Sequence, residues 1–249
     1  MKIAMCLFGQ PRDYHTGFMN INKFINDNNN NTYSFFIHCW ISDKIMNVSP
    51  YRYIDKTHLK IDNIDKLKND ILTYYNPKKY EFENTIDNFD LSYINNSIII
   101  NNTTNIISIQ NKNNTLSQMY SRNKVRDLLE EYIKETNESF DIVIITRLDL
   151  YMNIKIKLRD LDINKTYVNN MYYLRKIIVD HFIICPLNTF LEWFKLYKNL
   201  DKIANDDSLN LIMYLLNEKL YLNPEEITTA NYLYHFDINN IVYTDIYRL

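Results

Sequence analysis

The sequence predicts an α/β fold: a mostly parallel sheet flanked by helices on both faces. Apolar β-branched runs alternate with segments of helical periodicity along the chain. The runs KIAMCLF (2–8), YSFFIHCW (33–40) and IVII (142–145) are continuously apolar or nearly so. Such continuity marks strands buried on both faces, as in the middle of a parallel sheet.

The first strand spans Lys2–Phe8 and ends in Gly9, Gln10, Pro11 and Arg12. Glycine frees φ and proline sets it, so this loop has one defined shape. A helix follows over 16–28, with Phe18, Ile21, Phe24 and Ile25 on one face. The second strand, 33–40, ends in His38 and Trp40. The next helix covers 62–75, with Ile64, Leu67, Ile71, Leu72 and Tyr75 inward, and Pro77 beyond its end. An Asn-rich excursion occupies about 78–115, with Ile98–Ile100 as a candidate strand. Ser117 is the expected N-cap of a long helix to about Thr136.

The strand that follows, within FDIVIITRLDLYM (140–152), ends in Arg147, Leu148 and Asp149. Further strands are expected at 167–173 and 179–185, the latter stopped by Pro186. Phe190, Leu191, Phe194 and Tyr197 mark a helix. Asp206, Asp207 and Ser208 cap another, running through Leu220. Pro224 and Glu225 open a short helical piece, and 241–246 is a closing strand.

A chain of 249 residues, 46% of them hydrophobic, is long enough for one domain with a full core. We therefore take 1–249 as a single domain. A net charge of −2 gives no electrostatic case for nucleic acid. No window approaches the ~18 apolar residues of a membrane span. The N-terminal apolar run suits a strand better than a signal peptide. Cys6, Cys39 and Cys185 are far apart and lie in apolar runs, which suggests reduced buried thiols and a cytoplasmic location. With only two glycines, Gly9 and Gly17, neither GxGxxG nor GxxxxGK[ST] exists here.

In open α/β sheets, ligands bind beyond the carboxyl ends of the strands. Gly9–Arg12 is at such an end, and reads either as an ordinary turn with a solvated arginine or as an anion grip. Arg147 and Asp149 read either as a local ion pair or as a site where the carboxylate holds a divalent cation and the arginine meets an anion. Ser117, Gln118, Tyr120, Ser121, Asn123 and Lys124 read as a capped first turn or as an anion site at a helix start. Asp180 and His181 read as a surface pair or as charges retained for use. His38 and His235 read as packed core histidines.

Taken in order, the motifs Gly9-Gln-Pro-Arg12, His38-x-Trp40, Ser117-Gln-x-Tyr-Ser-x-x-Lys124, Arg147-x-Asp149, Asp180-x-Phe182 and Pro224-Glu225 span nearly the whole chain. That order resembles a group of glycosyltransferase-like proteins of giant viruses, phages and bacteria. The resemblance implies a GT-A-like (Rossmann-like) fold that binds a nucleotide-sugar, such as a UDP-sugar. It implies transfer to a hydroxyl acceptor on a glycan or protein-linked glycan. Gly9, Gln10, Arg12, Ser117, Gln118, Tyr120 and Lys124 would hold the nucleotide. Asp149 would hold Mn²⁺ or Mg²⁺ on the diphosphate, with Arg147 standing where that family's motif has an aspartate. Arg147 and Asp180 would be catalytic, Asp180 as general base. Two alternatives stay open: a degenerate glycan- or nucleotide-binding module, and a nucleotidyltransferase.

Overall fold

The computed structural model describes residues 1–42, 46–47, 58–59, 61–86, 88–90, 106–170, 177–179, 181–206 and 224–248. The order of elements is β1 (Lys2–Gly9), α1 (Tyr14–Asp27), β2 (Thr32–Ile41), β3 (Met46–Asn47), β4 (His58–Leu59), α2 (Ile64–Tyr75), β5 (Lys79–Asn84), α3 (Ile106–Thr136), β6 (Ile142–Arg147), β7 (Asn153–Ile154), β8 (Thr166–Asn169), β9 (Phe182–Pro186), α4 (Leu187–Trp193), α5 (Leu200–Asn205), α6 (Pro224–His235), β10 (Ile241–Thr244) and β11 (Tyr247–Arg248).

Seven strands form the main sheet in the order β10-β8-β9-β6-β1-β2-β5. Among its described strands, β9 alone runs opposite to the rest. Pleating sends alternate residues of each strand to opposite faces. Ile3, Met5 and Leu7 join Ile142 and Ile144 on the face covered by α1 and α2. Ala4, Cys6 and Phe8 join Val143 and Ile145 on the face covered by α3, α4, α5 and α6. This is the layered arrangement that the uninterrupted apolar runs predict.

Caps define the first two helices. The Asp13 carboxylate accepts the Thr16 N–H at 3.4 Å, and the Asn63 side chain accepts the Lys66 N–H at 2.8 Å. Asn76 ends α2 in the left-handed region at φ 41°, a common way to stop a helix.

Several expectations need correction. α3 starts at Ile106, about three turns before Ser117. Ser117 therefore lies inside a helix and caps nothing, and the anion-site argument for that segment loses its basis. The excursion is smaller than 78–115, because Lys79–Asn84 is the edge strand β5 and Ile106 onward is helix. The strand expected at 179–185 begins only at Phe182, and α6 is a full 12-residue helix. Asp206 follows α5 and is its C-cap. Ile98–Ile100, Asp180 and the helix expected through Leu220 fall outside the described residues. No helix among the described residues is long and apolar enough to cross a membrane.

Candidate functional site

The chain goes from β1 to β2 to β5 on one side of the sheet, then returns through α3 to β6 on the other side of β1. The winding reverses between β1 and β6, and open α/β sheets place their ligand crevice at such a point, at the carboxyl ends of the strands. Phe8 pairs with Arg147, so the two ends are level. The Leu148 N–H also donates to the Phe8 carbonyl at 3.1 Å. Gly9–Arg12 leaves one strand and Arg147–Leu150 leaves the other, both into this crevice.

One carboxylate organises it. Asp149 is 4% exposed. Its Oδ1 accepts Arg147 Nε–H at 2.7 Å and its Oδ2 accepts the Arg147 guanidinium at 2.8 Å. Arg12 Nε stands 3.8 Å from the same Oδ2 and donates to Gln10 Oε1 at 3.1 Å. Two guanidiniums thus share one carboxylate, and the three side chains together carry one positive charge. The local ion pair is realised, and both of its side chains are largely buried.

Helix α1 fixes the turn that carries Asp149. A Cβ on Gly17 would lie 1.8 Å from the Leu148 carbonyl oxygen, so only glycine allows this approach. Asn20 Nδ2 donates to the Leu150 carbonyl at 2.8 Å. Leu148 and Leu150 are buried beneath. On the other side of the crevice, Thr146 Oγ1 donates to the His181 carbonyl at 2.7 Å, which brings the residue after Asp180 to the same edge.

A second polar cluster lies over β2 and β5. One face of α3, at helical spacing, carries Ser117, Tyr120, Ser121 and Lys124. Trp40 Nε1 donates to the Ser117 carbonyl at 3.3 Å, and the Trp40 ring stacks on Tyr120 at 5.3 Å. His38 is fully buried, 2.7 Å from Ser121 Oγ through Nδ1 and 2.8 Å from Glu83 through Nε2. Lys124 Nζ reaches Glu81 at 3.1 Å and Glu83 at 3.2 Å. The His38 hydrogen bond, helped by Lys124, draws the Glu83 carboxyl down to about 2. The same carboxylates hold the Lys124 ammonium above its usual range, against the effect of burial.

His38, Glu81 and Glu83 are the one group of three metal-ligating side chains among the described residues, with ligand atoms within 4.8 Å of one another. Lys124 already sits between the two glutamates where a cation would go. At Asp149, both oxygens are taken by Arg147. Each donor set is thus already engaged by a fixed cation, a poor fit for a divalent ion that seeks several free oxygens.

The structure brings Gly9, Gln10, Arg12, Arg147 and Asp149 together at the crevice. Ser117, Tyr120 and Lys124 face β2 and β5. Gln118 is half-buried on the same helix. Three residues of this region were not foreseen. Glu81 and Glu83 alternate with Tyr80 and Phe82 in KYEFEN, a strand signal hidden in the polar stretch. Arg122 is fully buried, packs 4.8 Å over the Phe8 ring and donates to Thr228 at 2.8 Å. Nothing local distinguishes it from a surface arginine.

No protein-family model and no curated protein sequence matches this chain. Among solved structures, a galactosyltransferase, LgtC, in complex with donor and acceptor sugar analogs, is similar. The likeness covers 98% of this chain and 73% of that one, at 10% identity and a TM-score of 0.40.

Proposed function

We propose that this chain is a glycosyltransferase that moves a sugar from a nucleoside-diphosphate sugar to a hydroxyl acceptor. The carrying observation is the pair of guanidiniums, Arg12 and Arg147, gathered on Asp149 at the point where the sheet winding reverses. That is where α/β sheets take nucleotides, and planar guanidiniums suit phosphate oxygens.

In this reading the diphosphate lies against Arg12 and Arg147. Asp149 aligns both guanidiniums beforehand, so they need not reorganise as charge develops. When the bond from the anomeric carbon to the diphosphate oxygen breaks, the electron pair leaves with the oxygen. Arg147 stabilises the resulting charge. The acceptor oxygen forms the new bond and gives its proton to a base, for which Asp180 is our candidate. The chain's own cations supply the neutralisation, and a dependence on Mn²⁺ or Mg²⁺ is left to the experiment. Ser117, Gln118, Tyr120 and Lys124 enter as the α3 wall beside the donor rather than as a helix-terminal anion site.

Calorimetric titration with UDP, GDP and their sugars, with Mn²⁺ and with EDTA, tests this. Binding of a diphosphate that Arg147→Ala abolishes is the expected result. Unchanged binding in that variant, or full transfer and donor hydrolysis by Asp149→Asn, overturns the site. The binding-module reading is favoured by one observation, the closed fork of Arg147 on Asp149. Tight binding with no donor hydrolysis would select it. Pyrophosphate release from a nucleoside triphosphate would select a nucleotidyltransferase.

A further inference from the structure

A chain of hydrogen bonds, buried at its centre, links the edge of the sheet to the glycine loop. The Gly9 N–H donates to Ser121 Oγ at 3.1 Å. The same oxygen is 2.7 Å from His38 Nδ1, and His38 Nε2 is 2.8 Å from Glu83 Oε2. Four elements meet in it: the end of β1, then α3, β2 and β5.

The hydrogens follow from the chemistry of each group. A carboxylate only accepts, so Nε2–H of His38 donates to Glu83. Where Nδ1 carries no proton it accepts from the Ser121 hydroxyl. The serine oxygen keeps a lone pair for the Gly9 amide. Every donor in the chain meets an acceptor, in the direction Gly9 to Ser121 to His38 to Glu83.

Serine, imidazole and carboxylate in this order also make an acyl-transfer nucleophile. Here that use is closed. Ser121 and His38 are 0% exposed, and the serine oxygen is already engaged by a backbone amide. The chain instead acts on the loop. Gly9 has φ +103°, a shape that side-chain-bearing residues rarely adopt. Its amide donates to Ser121, whose orientation His38 and Glu83 hold. Glu83 Oε1 in turn meets Lys124 at 3.2 Å and the Tyr120 hydroxyl at 3.4 Å, so its carboxylate is anchored on its outer side as well.

We propose that Ser121, His38 and Glu83 are positioning residues that set the aim of the Gly9–Arg12 loop toward the donor diphosphate. The role rests on the reading above that this loop binds the donor.

The composition supplies a direct probe. Gly9 and Gly17 are the only glycines, so glycine-selective ¹⁵N labelling gives two amide signals. The Gly17 amide donates to the Asp13 carbonyl within α1 and serves as the internal reference. In Ser121→Ala we expect the Gly9 signal to move and its amide to exchange about tenfold faster, the scale of one lost hydrogen bond. UDP affinity should fall by a similar factor, and Ser121→Thr should restore both. Glu83→Gln is partly exposed and leaves the buried serine in place. It should move the Gly9 signal in the same direction while Gly17 stays still, a transmitted effect that simple loss of packing does not produce.

A Gly9 signal unmoved in both variants overturns the proposal. So does a moved signal with unchanged UDP affinity. If the native chain binds no nucleoside diphosphate while the Gly9 signal still responds, the donor reading fails. The positioning role falls with it, and the hydrogen-bond chain is left as architecture.

Discussion

Asp149 neutralises one of two neighbouring guanidiniums, and that ratio sets what substitutions do. Asp149→Asn keeps the shape and removes the counter-charge, leaving Arg12 and Arg147 to repel. Breaking a mostly buried pair from one side is expensive, so we expect a loss of about 2–4 kcal/mol in a denaturant melt. Diphosphate affinity should fall at least about tenfold as the guanidiniums lose alignment. Arg147→Lys should not rescue Arg147→Ala, because an ammonium cannot make the two parallel bonds seen here. Comparing the two variants by titration checks this. Glu83 makes a separate prediction. Its carboxyl is drawn from 4.5 to about 2 in the folded chain. A lowered folded-state value means that its stabilisation is complete above pH 4.5 and is lost as pH falls toward 2. Thermal midpoints followed across that window should drop less steeply in Glu83→Gln than in the native chain. Equal slopes would exclude Glu83 as a contributor.

Among the elements, α1 and the turn after β6 depend on one missing side chain. A methyl at Gly17 meets a backbone carbonyl at 1.8 Å, and a carbonyl in a strand-end turn cannot rotate away as a flexible side chain can. Overpacking of a core ordinarily costs about 1–3 kcal/mol, and Gly17→Ala should reach or exceed the top of that range. It should also weaken diphosphate binding, because the turn it displaces carries Asp149. Met19, two residues on and 64% exposed, supplies the control: Met19→Ala should be near neutral. Chemical denaturation of both variants checks the pair. The elements also differ in how readable they were. β1, β2 and β6 are buried on both faces, and burial imposes an apolar run that needs no partner to be recognised. β5 is an edge strand whose half-buried positions carry Lys79, Glu81 and Glu83 while Tyr80 is exposed, so its pattern resembles a loop. The first turn of α3 carries Ile106, Ile107 and Ile109, but the polar run Gln110–Asn114 interrupts the pattern, so Ser117 reads as a beginning. Inside the helix Ser117 offers Trp40 its backbone carbonyl, a contact independent of the capping hydroxyl.

For the molecule as a whole, the two faces of the sheet form two separate cores, and all three cysteines lie within them. Burial raises the thiols of Cys39 and Cys185, and burial with the nearby Cys185 raises that of Cys6. Native protein should therefore show no rapid reaction with a thiol reagent, and modification should follow the unfolding transition. A fast stoichiometric thiol in the native state would contradict this packing.

By itself the sequence determined the α/β class, the strands of the sheet centre, the apolar stripes of α1 and α2, and the placing of Gly9–Arg12 and Arg147–Asp149 at strand ends. Each follows from periodicity and turn chemistry acting over a dozen residues or fewer. The tertiary structure alone decided that β1 and β6 are neighbours and that Arg12 reaches Asp149. It also decided that Gly9, His38, Glu83 and Ser121 join in one hydrogen-bond chain. Those contacts span 45 to 137 residues of sequence, and they come from parallel register and from the long return through α3. No local pattern encodes such a meeting, because the residues become neighbours only when both faces of the sheet are buried at once.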